Sequence, residues 1–257
     1  MTIGRRLAPA ALLYALLFGP AAAQGVVADL PLTTGGSERS LLLPAAQTRA
    51  TVILLPGGDG IVRIGSDASV ERGGNFLIRS RNSWAGRGFS ALVLAPPNGM
   101  SLLGRRHGAE YLIALAAAAD YARSRASVPV WLVGTSQGSI AAANGAAHLP
   151  GRIFGVVLTS SVTRASRSGE TVFDADPGAI AVAALVVSNQ YDTCVASPPA
   201  DGNRLLAALA RAPRREFIMV ASNQLSGDPC EAYSPHGYLG IEDAVVQRIA
   251  DWIGGGR

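Results

Sequence analysis

The chain has 257 residues, 49% of them apolar, and a formal net charge of +4. All 22 basic residues are arginine, so chemistry that needs a lysine is excluded: Schiff bases, pyridoxal phosphate attachment and a Walker-type phosphate clamp. The arginines are scattered rather than gathered in one pattern, which argues against a nucleic-acid footprint.

At the N-terminus, Arg5 and Arg6 precede an apolar stretch from Ala10 to Phe18, followed by Pro20 and Ala21-Ala22-Ala23. That is the order of an export signal. We expect residues 1–23 to be a signal peptide cleaved after Ala23, leaving 24–257 as a single domain, periplasmic or secreted. A membrane anchor is the alternative reading, but the run is short for a bilayer and Pro20 interrupts it, so no stable anchor is expected.

Residues 24–50 carry turn signals at Pro31, Gly35-Gly36 and Pro44, and predict one or two edge strands, Ser40–Leu43 the clearer. Thr51–Leu55 reads as a buried strand ended by Pro56-Gly57-Gly58-Asp59-Gly60. Glu71–Arg87 predicts a helix with a glycine-rich start, Ser90–Ala95 a strand stopped by Pro96-Pro97, and Gly108–Ser124 a helix. Val128–Val133 is the next strand, Gln137–His148 a small-residue helix, and Ile153–Leu158 and Ile180–Val187 two further strands. Asp201–Arg211 predicts a helix, Glu216–Val220 a strand and Ile241–Ile253 a final amphipathic helix. Apolar strands alternating with helices imply an α/β class fold: a mostly parallel sheet covered on both faces. The polar segment 159–176 is too short for a cap domain and reads as a small flexible flap.

Within this frame one stretch carries chemistry. Val130-Trp131-Leu132-Val133 runs into Gly134-Thr135-Ser136-Gln137-Gly138, a Gly-x-Ser-x-Gly turn between strand and helix. Such a nucleophile elbow exposes its serine on a strained turn, and glycines are needed on either side because bulk would clash there. Ser136 is therefore the candidate nucleophile, against the plain alternative of a structural serine in a glycine-rich turn.

A serine needs a base, and the base needs an orienting carboxylate. Of three histidines, His107 lies upstream of the elbow, and His148 sits about 18 Å along the same helix. His236, in a turn-rich loop after the last strand, is the candidate base. The acid should follow a strand between serine and histidine, which selects Asp192 in Ser188-Asn189-Gln190-Tyr191-Asp192; Asp228, in the histidine loop, is the runner-up. An oxyanion hole requires two aimed backbone N–H groups. We expect them from Gln137 and from Gly58, with the Asp59 side chain turned away, capping a helix or pairing with Arg63.

The only cysteines, Cys194 and Cys230, flank this constellation. An even count in an exported chain predicts one disulfide, with two buried thiols as the alternative. Closing that loop would contribute roughly 3–4 kcal/mol by the chain-entropy model.

Ser136, Asp192 and His236 in that chain order, with an elbow on a central strand, resemble the α/β-hydrolase superfamily. In size and lack of a cap the chain is similar to small serine esterases and dienelactone-hydrolase-like members. The resemblance covers residues 40–255 and implies an α/β-hydrolase fold of about eight strands, with esters cleaved through an acyl-enzyme. Two residues depart from the pattern: Pro56 stands where many members have a histidine, and the nucleophile is serine where true dienelactone hydrolases use cysteine.

The expected partner is a small-molecule or polymeric ester. No cofactor is expected, because no Gly-x-Gly-x-x-Gly follows the first strand, and no metal, because the histidines and cysteines form no ligand set. Two further readings stand beside the esterase: the same triad cutting polyesters or peptides, with Trp84, Tyr191, Tyr233 and Tyr238 as candidate cleft aromatics, and a hydrolase fold reused for binding alone.

Overall fold

The structure, a computed structural model, describes residues 25–255; the expected signal peptide lies outside the described residues. Chain order gives strands β1 (Val26–Pro31), β2 (Ser37–Leu43) and β3 (Ala50–Leu55), a two-residue hairpin of β4 (Arg63–Ile64) and β5 (Val70–Glu71), and helices α1 (Phe76–Arg79) and α2 (Arg81–Ala85). Then follow β6 (Phe89–Leu94), α3 (Ala109–Arg125), β7 (Val130–Thr135), α4 (Gln137–His148), β8 (Gly155–Thr159), β9 (Ala183–Asn189), α5 (Gly202–Ala208), β10 (Arg215–Val220) and α6 (Glu242–Ile253).

Eight strands form one sheet in the order β1-β2-β6-β3-β7-β8-β9-β10. β1–β2 and β2–β6 pair antiparallel; every other neighbour pair is parallel. The chain leaves β3 toward β6 on one side and returns to place β7 on the other. The order reverses at β3/β7, and in open α/β sheets ligands bind at the carboxyl ends of the strands at such a switch point. Leu55 pairs with Gly134, so the loops after β3 and β7 emerge side by side.

The apolar strands divide their side chains between two layers because successive residues point to opposite faces. Ile53 and Leu55 pack with Leu115 of α3, Ile140 of α4 and Leu205 of α5. Val52 and Leu54 pack with Phe76, Trp84, Ile249 and Trp252 from α1, α2 and α6. Trp131 of β7 lies on this second face and meets Trp252 edge-on at 5.8 Å; Gly155 on neighbouring β8 has no Cβ because the Trp131 ring occupies that space. The alanines of α3 at 114, 118, 119 and 122 are fully buried, which lets the helix lie close to the sheet.

Two expectations are corrected. Glu71–Arg87 is not one helix but a strand residue, a glycine turn and the short helices α1 and α2, which part at Ser80, whose hydroxyl bonds back to Phe76 O at 2.8 Å. Segment 159–176 is not free along its length. Val172 N–H donates to Val162 O and Thr163 N–H to Ala196 O; residues 159–163 are buried, as are Glu170, Val172 and Ala175, and exposure falls mainly on 164–169 and on Asp174 and Asp176.

Candidate active site

Ser136 occupies the sharp turn between β7 and α4 with φ 53° and ψ −126°, a conformation that costs a non-glycine residue on the order of 1–3 kcal/mol. The flanking glycines are required by contact. A Cβ on Gly134 would run into Gly138 O, and one on Gly138 into Leu55 O. Ser136 stands at the N-cap of α4 without capping it, so its hydroxyl is not spent on the helix. Its N–H donates to Thr159 O at 3.0 Å, and its carbonyl accepts from Ser139 N–H and Oγ.

Asp192 and His236 are brought together. Asp192 Oδ2 lies 2.8 Å from His236 Nδ1, and both side chains are almost fully buried. Asp192 is oriented by its own turn: Oδ1 accepts from Cys194 N–H at 2.9 Å and its N–H donates to Asn189 O. The Cys194–Cys230 disulfide is present, with Cα atoms 4.6 Å apart, and ties the aspartate loop to the histidine loop. Asp228, the runner-up, makes no hydrogen bond to His236; it is exposed and accepts from Cys230 N–H in its own turn.

Ser136 and His236 are not hydrogen-bonded to each other and are linked only through the end of β8. Ser136 N–H binds Thr159 O on β8, and the next residue, Ser160, donates through Oγ to His236 O at 2.8 Å. His236 Nε2 is buried and has no hydrogen-bond partner among the described residues. The serine that does touch His236 is Ser197: its Oγ lies 2.8 Å from Nδ1 and donates to Asp192 Oδ2 at 3.1 Å. The structure thus contains a Ser-His-Asp arrangement of Ser197, His236 and Asp192. Ser197, however, sits on the nitrogen the aspartate already holds, and it is buried. A nucleophile must hand its proton to the opposite nitrogen.

The loop after β3 lies against Ser136: a Cβ on Gly57 would be 2.8 Å from Ser136 Cβ. Gly58 has φ +60° and open space where a Cβ would stand. Gln137 opens α4, where unpaired N–H groups and the helix dipole favour negative charge. Asp59 does turn away, but to a partner other than expected. Oδ2 pairs with Arg72 at 3.2 Å and Oδ1 accepts from Ile61 N–H, while Arg63 faces Glu71. The other histidines serve elsewhere: His107 pairs with the buried Glu170, and His148 contacts Asn144 O.

Three positioning residues escaped the sequence. Asn189 is fully buried and satisfied four times: Nδ2 donates to Ser222 O and Pro235 O, and Oδ1 accepts from Tyr191 and Ser222 N–H groups. It thereby clamps the Asp192 turn to the residue before His236. Tyr238 accepts from Ser160 N–H and donates to Val187 O; burial holds its phenol protonated, well above the usual range. Ser197 is the third. Asn189 lies within the peptide read for its aspartate, but no local spacing marks the others. Of the candidate cleft aromatics, Tyr191 and Tyr233 are exposed, whereas Trp84 and Tyr238 are buried in the core.

Among the described residues no cluster of His, Cys, Asp and Glu could hold a metal, and no helix is long and apolar enough to cross a membrane. No family model and no curated relative matches the chain. Solved structures do. A dienelactone hydrolase from Anabaena variabilis superposes with a TM-score of 0.64 at 16% identity, over 92% of this chain and 99% of that one. An esterase from Pyrococcus furiosus gives 0.66 at 11% identity, over 90% and 92%. A serine hydrolase without lid from Xanthomonas campestris gives 0.57 at 14% identity, over 88% and 95%. At these identities the likeness establishes the α/β-hydrolase fold.

Proposed function

We propose that this α/β-hydrolase-fold chain is an exported serine hydrolase that cleaves carboxylic esters through an acyl-enzyme on Ser136. The observation that carries the reading is the Asp192–His236 pair at 2.8 Å, which fixes Nδ1 and leaves the buried Nε2 without a partner among the described residues. A strained serine two hydrogen-bonded links away supplies the missing group; in unliganded sites such bonds are often long and tighten with substrate.

In this mechanism His236 Nε2 accepts the Ser136 hydroxyl proton as Oγ bonds the acyl carbon. The tetrahedral oxyanion is held by the N–H groups of Gln137 and Gly58. Collapse expels the alcohol, which takes its proton from the imidazolium. Water then repeats the sequence and releases the acid. Asp192 keeps the imidazole oriented and stabilises its charged form.

The test is mass-spectrometric mapping of a fluorophosphonate label together with p-nitrophenyl butyrate turnover. We expect the label on Ser136 and loss of both in Ser136→Ala. Labelling or turnover that survives in that variant overturns the assignment, and an unlabelled native protein would favour a binding role.

A polyester is the second reading. Tyr191, Val195, Leu225 and Tyr233, all on the loops that carry Asp192 and His236, are large apolar side chains left 47–78% exposed, which suits an apolar polymer surface. Release of soluble monomer from a polyester film would support it. The leader at 1–23 and the disulfide support export.

A further inference from the structure

The loop after β3 has an asymmetric hydrogen-bond pattern. Every carbonyl from Pro56 to Asp59 is taken: Pro56 O and Gly58 O by Arg106, Gly57 O by Gly60 N–H at 3.2 Å, and Asp59 O by Leu102 N–H at 2.8 Å. The N–H groups of Gly57, Gly58 and Asp59 donate to no carbonyl among the described residues. A loop whose acceptors are all held and whose donors are left open can present those donors to an anion.

Arg106 produces this polarity. It is 1% exposed, and its two terminal nitrogens reach Gly58 O at 3.0 Å and Pro56 O at 3.1 Å. Those carbonyls belong to the peptides on either side of the Gly57–Gly58 peptide, whose N–H is the expected oxyanion donor. The guanidinium is packed under the loop, since a Cβ on Gly60 would lie 2.9 Å from it. Its own carbonyl accepts from Asn144 Nδ2 at 3.1 Å, and Asn144 is a buried residue of α4, the helix that begins with Gln137. One residue therefore braces the loop bearing one donor against the helix bearing the other. Among the described residues no carboxylate directly pairs with the guanidinium; Asp59 and Glu170 act on it only at longer range, and burial lowers it to about 10, so it stays charged at neutral pH.

We propose that Arg106 is the positioning residue of the oxyanion hole, its planar fork fixing the loop so that the N–H groups at 57–59 converge with that of Gln137, and its unpaired buried charge lying beneath the developing oxyanion. The inference rests on the serine-hydrolase reading above. A planar fork holds two carbonyls in one fixed geometry; an ammonium is a point charge on a flexible stem whose rotating donors impose no such geometry. Preorganised donors act on the transition state rather than on bound substrate, so the effect belongs in kcat.

The experiment compares native protein, Arg106→Lys and Arg106→Met with p-nitrophenyl butyrate as substrate and an alkyl trifluoromethyl ketone as mimic of the tetrahedral species. We expect kcat to fall about 100-fold in Arg106→Met and about 10-fold in Arg106→Lys, KM to stay within about threefold, and the ketone's inhibition constant to rise in step with the loss of kcat. Should Arg106→Met fail to fold by circular dichroism, Arg106→Lys alone decides. A kcat within threefold of native in the folded variants, or a ketone affinity that does not follow kcat, overturns the proposal. If the native protein neither turns over the ester nor takes a fluorophosphonate, it is the serine-hydrolase reading that has failed instead.

Discussion

Ser197 Oγ lies 2.8 Å from His236 Nδ1, on the nitrogen that Asp192 also holds. This contact supports the imidazole from behind. Ser197→Ala should keep fluorophosphonate labelling and lose no more than about tenfold in kcat, the worth of one net hydrogen bond. Initial-rate kinetics on the purified variant check this. A loss comparable to that of Ser136→Ala would mean that the two serines have been assigned the wrong way round.

The backbone at Ser136 predicts a trade between stability and activity. At φ 53° a side chain is strained. Ser136→Gly removes that penalty and should stabilise the fold by about 1 kcal/mol, or about 2–4 °C in Tm, while abolishing ester turnover. Differential scanning calorimetry of the two proteins reads it, and a lower Tm in the variant would argue that the turn is unstrained.

Asn189→Asp tests the clamp between the two loops. The substitution is nearly isosteric, yet it removes both donated bonds and sets a carboxylate against Ser222 O and Pro235 O. We expect a loss of about 3 kcal/mol or more in urea denaturation, with kcat reduced because Pro235 precedes the histidine. An unchanged midpoint would show that the clamp is dispensable.

These residues also show where sequence reasoning ends. The elbow was legible because Gly134, Ser136 and Gly138 answer a local steric demand that leaves a local pattern. Asp192 and His236 could be found because chain order and strand ends restrict the choice. Asn189, Ser197 and Arg106 act across separations of 5 to 50 residues, through contacts that exist only once the sheet is assembled. Asp59 is similar. That its charge needed a partner was readable, but Arg72 rather than Arg63 supplies it because the β4–β5 hairpin engages Arg63 with Glu71. The Glu71–Arg87 helix was over-read, since apolar periodicity continues across Ser80 although the backbone does not.

Reducing Cys194–Cys230 should lower stability, since the bond spans 36 residues and loop closure of that length contributes about 3–4 kcal/mol. We expect a Tm fall on the order of 10 °C with reductant, and lower ester turnover as the loops bearing Asp192 and His236 loosen. Identical melting curves with and without reductant would remove the bond from the stability account.

Glu38 gives a pH signature. It is fully buried on β2, neither carboxyl oxygen has a partner among the described residues, and burial raises it from 4.5 to about 8. The native state therefore holds a proton that the unfolded chain releases above about pH 4.5. The neutral form carries no charge penalty at low pH, so this group's contribution is greatest there, declines as pH rises, and is fully lost above about 8. Glu38→Gln should flatten that slope. Melting temperatures of both proteins from pH 5 to 9 give the difference, and parallel curves would refute the assignment.

All three tryptophans, Trp84, Trp131 and Trp252, belong to the layer beneath α1, α2 and α6. The opposite layer, which carries α4 and its serine turn, is optically silent to indole emission. Fluorescence will therefore follow the melting of one half of this sandwich only. A denaturant step visible in far-ultraviolet dichroism but absent from emission would locate early loosening on the side where the chemistry is done.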